Sequence, residues 1–344
     1  MILRAGEEQH PARTSALASL VSTLALACAA APPPGEPPPS HEIGAGTRHD
    51  AGAGQAVTPP NTATPVDAPA PADARAAGDP APVDVGAAPK ACADDMVLID
   101  GEYCRDLQMK CLKSWYGKAN KKTICERFDS PTQCVGPKEK KRYCIDRYEF
   151  PNKKGERPVV MNNFYQSQVL CAALGKRVCT ETEWTMACEG PSYKPYPYGY
   201  VRDAKKCRGD MPYGFPKREG VVRRDPVELE RLWQGVVSGS QPECVSDYGV
   251  HDMPGNADEL AASEQIHGPR AKFDSVTTGG PWYLGVRNQC RPKIYEHDEG
   301  FAYYYLTTRC CTEPDGQPTD PRSPRQKKRG MSWERVVYFA RNSL

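Results

Sequence analysis

The sequence predicts a loop-rich α+β domain held together by disulfides, and three observations carry that reading. Fifteen cysteines occur in 344 residues, which fits an oxidising compartment and a fold that needs covalent staples. The strand-like runs are short and widely spaced. Clear helix signals are confined to two early segments, Phe164 to Leu174 and Thr180 to Cys188.

Composition narrows the function classes. The formal net charge is +2, so composition gives no reason to expect nucleic acid or another acidic polymer as partner. No C-x-x-C pair and no H-E-x-x-H occur, which argues against a zinc site.

The N-terminus reads as an export signal. Arg4 and Arg13 precede an apolar run from Ala16 to Ala27, too short for a stable membrane span. The run ends Leu24-Ala25-Leu26-Ala27-Cys28. Small residues before a cysteine suggest a bacterial lipoprotein site, with Cys28 lipidated and residues 1–28 as the signal; an ordinary secretory signal is the alternative. With Cys28 acylated, fourteen cysteines remain, an even number. Residues 29–90 are rich in Pro, Ala, Gly and Asp and are expected to form a disordered spacer.

The folded domain is expected at 91–311. Met96 to Gly101 reads as a strand entering a turn, and Cys144 to Phe150 as a second strand. Between them lies a cysteine- and lysine-rich insert, 104–144, whose basic run Lys138 to Arg142 reads as a solvated loop. Phe164, Val169, Leu170, Ala173 and Leu174 have helical spacing. Thr180 and Glu183 form a capping box for the second helix. Gly190 to Glu243 reads as irregular, with Tyr193, Tyr196, Tyr198 and Tyr200 among Pro and Gly. Thr277 to Tyr283 reads as a strand with a tight glycine turn, and Phe301 to Cys311 as a closing strand. The tail, 312–344, is basic and expected to be loosely ordered, with Val336 to Phe339 as its one docking segment.

The segment most suggestive of chemistry is Asp252-Met253-Pro254-Gly255-Asn256-Ala257-Asp258-Glu259. Two carboxylates flank a carbonyl-exposing turn, the ligand set hard cations such as calcium prefer. A surface turn with solvated acids is the plain alternative.

That segment resembles the DMxGNxxEW signature of the formylglycine-generating-enzyme (sulfatase-modifying-factor, FGE-sulfatase) family. Met96 to Gly101 is similar to the family's MVxIPGG strand, and Cys144 to Phe150 to its IDRYEVT segment. Gly175-Lys176-Arg177-Val178-Cys179-Thr180-Glu181-Thr182-Glu183-Trp184 is similar to GKRLPTEAEWE. Tyr196 to Gly199 resembles YPWG, Gly279 to Trp282 resembles RGGSW, and Thr308 to Cys311 resembles GFRC. The resemblance spans roughly 91–311, interrupted by the insert, and is nearest to a cysteine-rich, lipoprotein-like bacterial branch.

The resemblance implies a C-type-lectin-like α+β fold. It implies calcium held by the Asp252 and Glu259 side chains and the Gly255 and Ala257 carbonyls. Of a second family calcium site only Asp210 remains, since Arg208 stands where an Asn belongs. Family enzymes oxidise a sulfatase cysteine with copper held by two cysteines. Here Leu284 stands at the first, and only Cys290 is nearby. The resemblance also implies bridges Cys188–Cys290 and Cys171–Cys310, which would leave Cys290 unable to bind copper or act as a nucleophile. Elimination leaves Cys207 with Cys244 and Cys179 with Cys311. The six cysteines from Cys92 to Cys144 allow fifteen pairings among themselves. Arg287, Arg291 and His297 fall where the family binds substrate, with a structural salt-bridge set as the alternative.

Two functions remain. One is an exported, lipid-tethered, calcium-stabilised binding or structural module with an unknown protein or small-molecule ligand. The other is a formylglycine-type oxidoreductase needing copper, with Cys290 unpaired.

Overall fold

The computed structural model describes residues 90–118 and 121–343. The expected signal segment, Cys28 and the spacer lie outside the described residues.

Two four-stranded sheets organise the domain. The first has the order β1 (Met96–Cys104), β6 (Lys138–Asp146), β12 (Cys310–Thr312), β7 (Arg177–Val178). β1 and β6 pair antiparallel from Met96 opposite Asp146 to Cys104 opposite Lys138. The second has the order β10 (Lys293–Ile294), β9 (Ser275–Thr278), β8 (Asp258–Ala262), β11 (Leu306–Thr308). Its pairs are antiparallel except β8 with β11, which is parallel. Two small sheets complete the strands: β2 (Leu107–Gln108) with β5 (Gln133–Cys134), and β3 (Cys111–Gly117) with β4 (Lys122–Phe128).

Helices α1 (Phe164–Ala172) and α2 (Glu181–Glu189) start where their capping residues dictate. Asn163 accepts from the Gln166 amide at 2.9 Å and Gln166 reaches back. Thr180 and Glu183 do the same for α2. Each box satisfies two amides that lack an intrahelical partner. Helix α2 is buried along nearly its whole length, with Trp184 and Met186 in a core shared with Ile99, Tyr143, Ile145 and Met253.

Seven disulfides join all fourteen cysteines of the described residues: Cys92–Cys144, Cys104–Cys134, Cys111–Cys125, Cys171–Cys310, Cys179–Cys311, Cys188–Cys290 and Cys207–Cys244. Adjacent Cys310 and Cys311 point to opposite faces of a strand. They therefore staple β12 to α1 on one side and to Cys179 on the other.

The structure departs from the sequence reading in four places. The basic run Lys138 to Arg142 is the first half of β6, because Lys138, Lys141 and Arg142 pair with Glu102, Glu139 and Asp100. The irregular stretch contains α3 (Arg218–Val222) and α4 (Pro226–Leu232), the latter capped by Asp225 with Pro226 in its first turn, a standard helix start. The closing strand is two strands, β11 and β12, in different sheets.

The fourth departure is the tail, which is docked rather than loose. It forms α5 (Pro324–Lys328) and α6 (Trp333–Asn342). Val336 is fully buried, and the Phe339 ring lies 5.0 Å from Tyr165 of α1. Gln326 exchanges hydrogen bonds with Gln168. Arg325 and Arg329 both grip the buried Asp274 carboxylate. Two polar grips and one apolar stripe fix a segment that its basic composition marks as loosely ordered.

Candidate functional site

The Asp252–Glu259 segment turns inward, not outward. Asp252, Gly255 and Asn256 adopt φ of +63°, +95° and +49°, so the chain folds tightly before entering β8. A Cβ on Gly255 would lie 2.5 Å from the Arg208 carbonyl oxygen, which leaves glycine the only residue that fits. Asn256 fastens the turn: its side chain donates to Glu149 at 2.9 Å and accepts from the Val236 amide at 2.8 Å.

Three carboxylates and one guanidinium meet behind this turn. Arg309, wholly buried between β11 and β12, donates from Nε and Nη2 to Glu259 at 3.0 and 2.8 Å. The Trp184 indole donates to the same carboxylate at 2.8 Å. Glu149 accepts from Asn256, the Ala257 amide and Ser238. Asp252 accepts from the Gly239 amide at 2.7 Å through Oδ2, while Oδ1 is buried without a partner.

Burial, then the neighbouring charges of Asp252 and Glu259, pushes Glu149 well above the usual carboxylate range. Burial pushes Asp252 up to about 6. Arg309 is held above its ordinary value, although burial opposes its charge, because Glu259, Glu149 and Asp252 surround it. One guanidinium cannot neutralise three carboxylates.

This geometry bears on the calcium expectation in two ways. The orphaned Asp252 oxygen and the surplus of hard, negative donors fit a divalent cation. Glu259, however, is engaged by Arg309 and Trp184. Among the described residues no three His, Cys, Asp or Glu side chains are grouped as a metal site. Glu149 was missed from the sequence: 107 residues separate it from Asn256, and its loop is held here by backbone bonds from the His251 amide to the Arg147 carbonyl and from the Phe150 amide to the Thr308 carbonyl. Asp210 is bound by Arg202 at 2.8 Å, and Arg208 donates to the Gln234 carbonyl.

The glycine turn after β9 leads to the position expected to hold copper. Gly279 and Gly280 have φ of +83° and +69°, and Trp282, fully buried, donates its amide to Asn256. Leu284 follows, then a short 3-10 helix, Gly285–Arg287. Cys290 is fully buried and bonded to Cys188 near the end of α2. No thiol is available there. The insert closes over the same place. Ile124 of β4, 1% exposed, packs so near the 3-10 helix that a Cβ on Gly285 would lie 3.3 Å from its Cδ1.

Arg287 and Arg291 both lie in ion pairs, as the salt-bridge alternative has them. Arg287 is buried and bidentate on Asp258 at 2.6 and 2.9 Å, and also reaches the Thr277 carbonyl. Arg291 pairs with Glu189 at 2.9 Å and donates to the Cys104 and Arg105 carbonyls. The Nη atoms of both guanidiniums are engaged by protein groups, while Arg287 Nε is buried without a partner. His297 stacks on Phe301 at 3.8 Å, and burial holds its ring below the usual imidazole range. His297 lies within electrostatic reach of Asp258 and Arg287.

A family model described as "Sulfatase-modifying factor enzyme 1-like domain" (FGE-sulfatase) matches residues 117–306. The chain belongs to this family. The match begins inside the cysteine-rich insert and ends at β11, so β1 and β12 of this FGE-sulfatase domain lie outside it. No curated protein matches the chain. Among solved structures it is similar to PvdO from Pseudomonas aeruginosa (14% identity, 65% of this chain and 99% of that one, TM-score 0.42). It is also similar to CarF (12% identity, 66% and 98%, TM-score 0.38) and to Treponema denticola variable protein 1 (14% identity, 63% and 99%, TM-score 0.36). The FGE-sulfatase fold, C-type-lectin-like and disulfide-rich, is the one expected from the motifs.

Proposed function

We propose that this FGE-sulfatase-family protein is exported, tethered by an acyl chain on Cys28, and acts as a cation-stabilised binding or structural module rather than a copper oxidase. The observation that carries this reading is the Cys188–Cys290 disulfide beside Leu284. A copper centre of the family's kind needs two soft thiolates. Here one position holds a leucine and the other a sulfur tied up in a disulfide. The insert's Ile124, seated against Gly285, supports the same reading by filling the space above it.

Seven disulfides support export to an oxidising compartment. Among the described residues no helix is long and apolar enough to cross a membrane, so tethering rests on Cys28. A calcium ion would be held by Asp252 and Glu259 with the Gly255 and Ala257 carbonyls. Bound there, it would supply positive charge to a carboxylate cluster that Arg309 neutralises only in part. Arg309 and the buried turn already orient these groups, so the role is structural.

The test is incubation of the purified chain with copper, oxygen and a cysteine-containing sulfatase peptide, followed by mass spectrometry. The peptide is expected to keep its cysteine. A copper- and oxygen-dependent conversion to formylglycine would establish the oxidoreductase reading instead.

A further inference from the structure

The three most exposed large apolar side chains among the described residues all fall between 215 and 227. Phe215, Val222 and Val227 keep 82%, 73% and 75% of their surface in solvent. They belong to α3, α4 and the segment leading into them. This helix pair is held firmly from below. Val221 and Leu232 sit in the core with Trp282, and the Asp225 amide donates to the Gly220 carbonyl at 2.8 Å. A Cβ on Gly220 would lie 2.9 Å from the Glu228 side chain, so the two helices touch.

The outward residues are neighbours in space. Val227 and Arg231 lie four apart on α4 and share a face. Arg231 donates to the Phe215 carbonyl at 2.9 Å, which brings Phe215 to that face. Val222 ends α3 at the corner where the chain turns into α4. Exposed apolar side chains gathered in this way mark a docking surface.

The same corner carries surplus positive charge. Between Lys217 and Arg224 four cations face one carboxylate, Glu219, and Glu219 pairs with Arg223 at 3.4 Å. The acids that follow are committed as well: Asp225 caps α4, Glu228 pairs with Arg231, and Glu230 pairs with Arg157. Lys217, Arg218 and Arg224 are exposed and form no ion pair among the described residues.

This mixture selects the partner. A linear polyanion engages cations and stacks its bases on rings, and it gains nothing from two projecting valines. Protein hot spots are poor in valine. The interface of an anionic membrane takes both features: cations meet the phosphates, and apolar side chains settle just beneath them. We propose that the face carrying Phe215, Val222 and Val227, with Lys217, Arg218 and Arg224, docks on an anionic phospholipid surface. Its packed base presents it already ordered, which lowers the entropic cost of docking.

The test uses the full chain carrying Cys28→Ser, so that no acyl anchor forms. It is sedimented with vesicles of phosphatidylcholine alone or mixed with phosphatidylglycerol. Binding is expected only to the mixed vesicles. Lys217→Glu/Arg218→Glu/Arg224→Glu should weaken it by roughly a hundredfold or more. Phe215→Ser/Val227→Ser should weaken it by about tenfold. Both variants alter exposed side chains and should keep the parent melting temperature. Phe215→Trp, which leaves the cations in place, should add emission that brominated acyl chains quench. Four results overturn the proposal: equal binding to neutral vesicles, unchanged binding by either variant, no added quenching, or lipid-free self-association that Phe215→Ser/Val227→Ser abolishes.

Discussion

Ile124 and Gly285 meet where the insert touches the segment after Trp282, and a Cβ on Gly285 would lie 3.3 Å from the Ile124 Cδ1. A Cβ there would also collide with the Asp210 carboxylate, which cannot swing away freely because Arg202 holds it at 2.8 Å. Gly285→Ala is therefore expected to cost about 1–3 kcal/mol, the usual range for overpacking. Urea denaturation reads this directly, and an unchanged midpoint would show that the Asp210 carboxylate and Ile124 can give way here.

Arg309 is the counter-charge of the interior. Replacing it with Met leaves Glu259, itself 1% exposed, buried without its counter-charge and with only the Trp184 indole as a side-chain donor. The expected loss is about 3–5 kcal/mol. Replacing both residues with Met should recover part of it, since breaking a buried pair costs more than deleting it. A double-mutant cycle by chemical denaturation measures the coupling; additive losses would mean the two groups act independently.

The surplus carboxylate charge predicts a response to calcium. At neutral pH, calcium should raise the melting temperature in a saturable way, with stabilisation near 2.7 kcal/mol at roughly a hundred times the dissociation constant. Asp252→Asn should abolish the increment, and EDTA should reverse it in the parent. A melting temperature indifferent to calcium in both proteins would leave Arg309 as the sole charge partner of the cluster.

Lys293 supplies a pH signature. Burial lowers its ammonium from 10.5 to about 8, with Glu181 and Glu189 opposing the shift and Arg291 adding to it. The folded state then prefers the neutral amine and the unfolded state binds more protons. Stability from this group should rise between about pH 8 and 10.5. Site-resolved acylation by mass spectrometry should show Lys293 half-reactive near pH 8. A reactivity profile like that of the exposed lysines would refute the shift.

What the sequence revealed followed from local chemistry. The Thr180/Glu183 capping box and the 252–259 turn are short-range patterns, and both lie where those patterns put them. Glu149 was not legible, because its partners Asn256 and Ala257 are distant in sequence. The partners of Arg287 and Arg291 were not legible either, because a charged residue near a suspected site carries no mark of pairing with Asp258 or Glu189. The tail was misread from its basic composition, although Ser323 with Gln326 three residues on is a capping box that announces α5.

The most direct measurement is a disulfide map of the purified chain, by digestion without reduction and mass spectrometry. The account predicts a peptide pair joining Cys188 to Cys290, and no alkylation at either position before reduction. Recovery of Cys290 as a free, readily alkylated thiol would contradict it and return a metal-binding sulfur to this site.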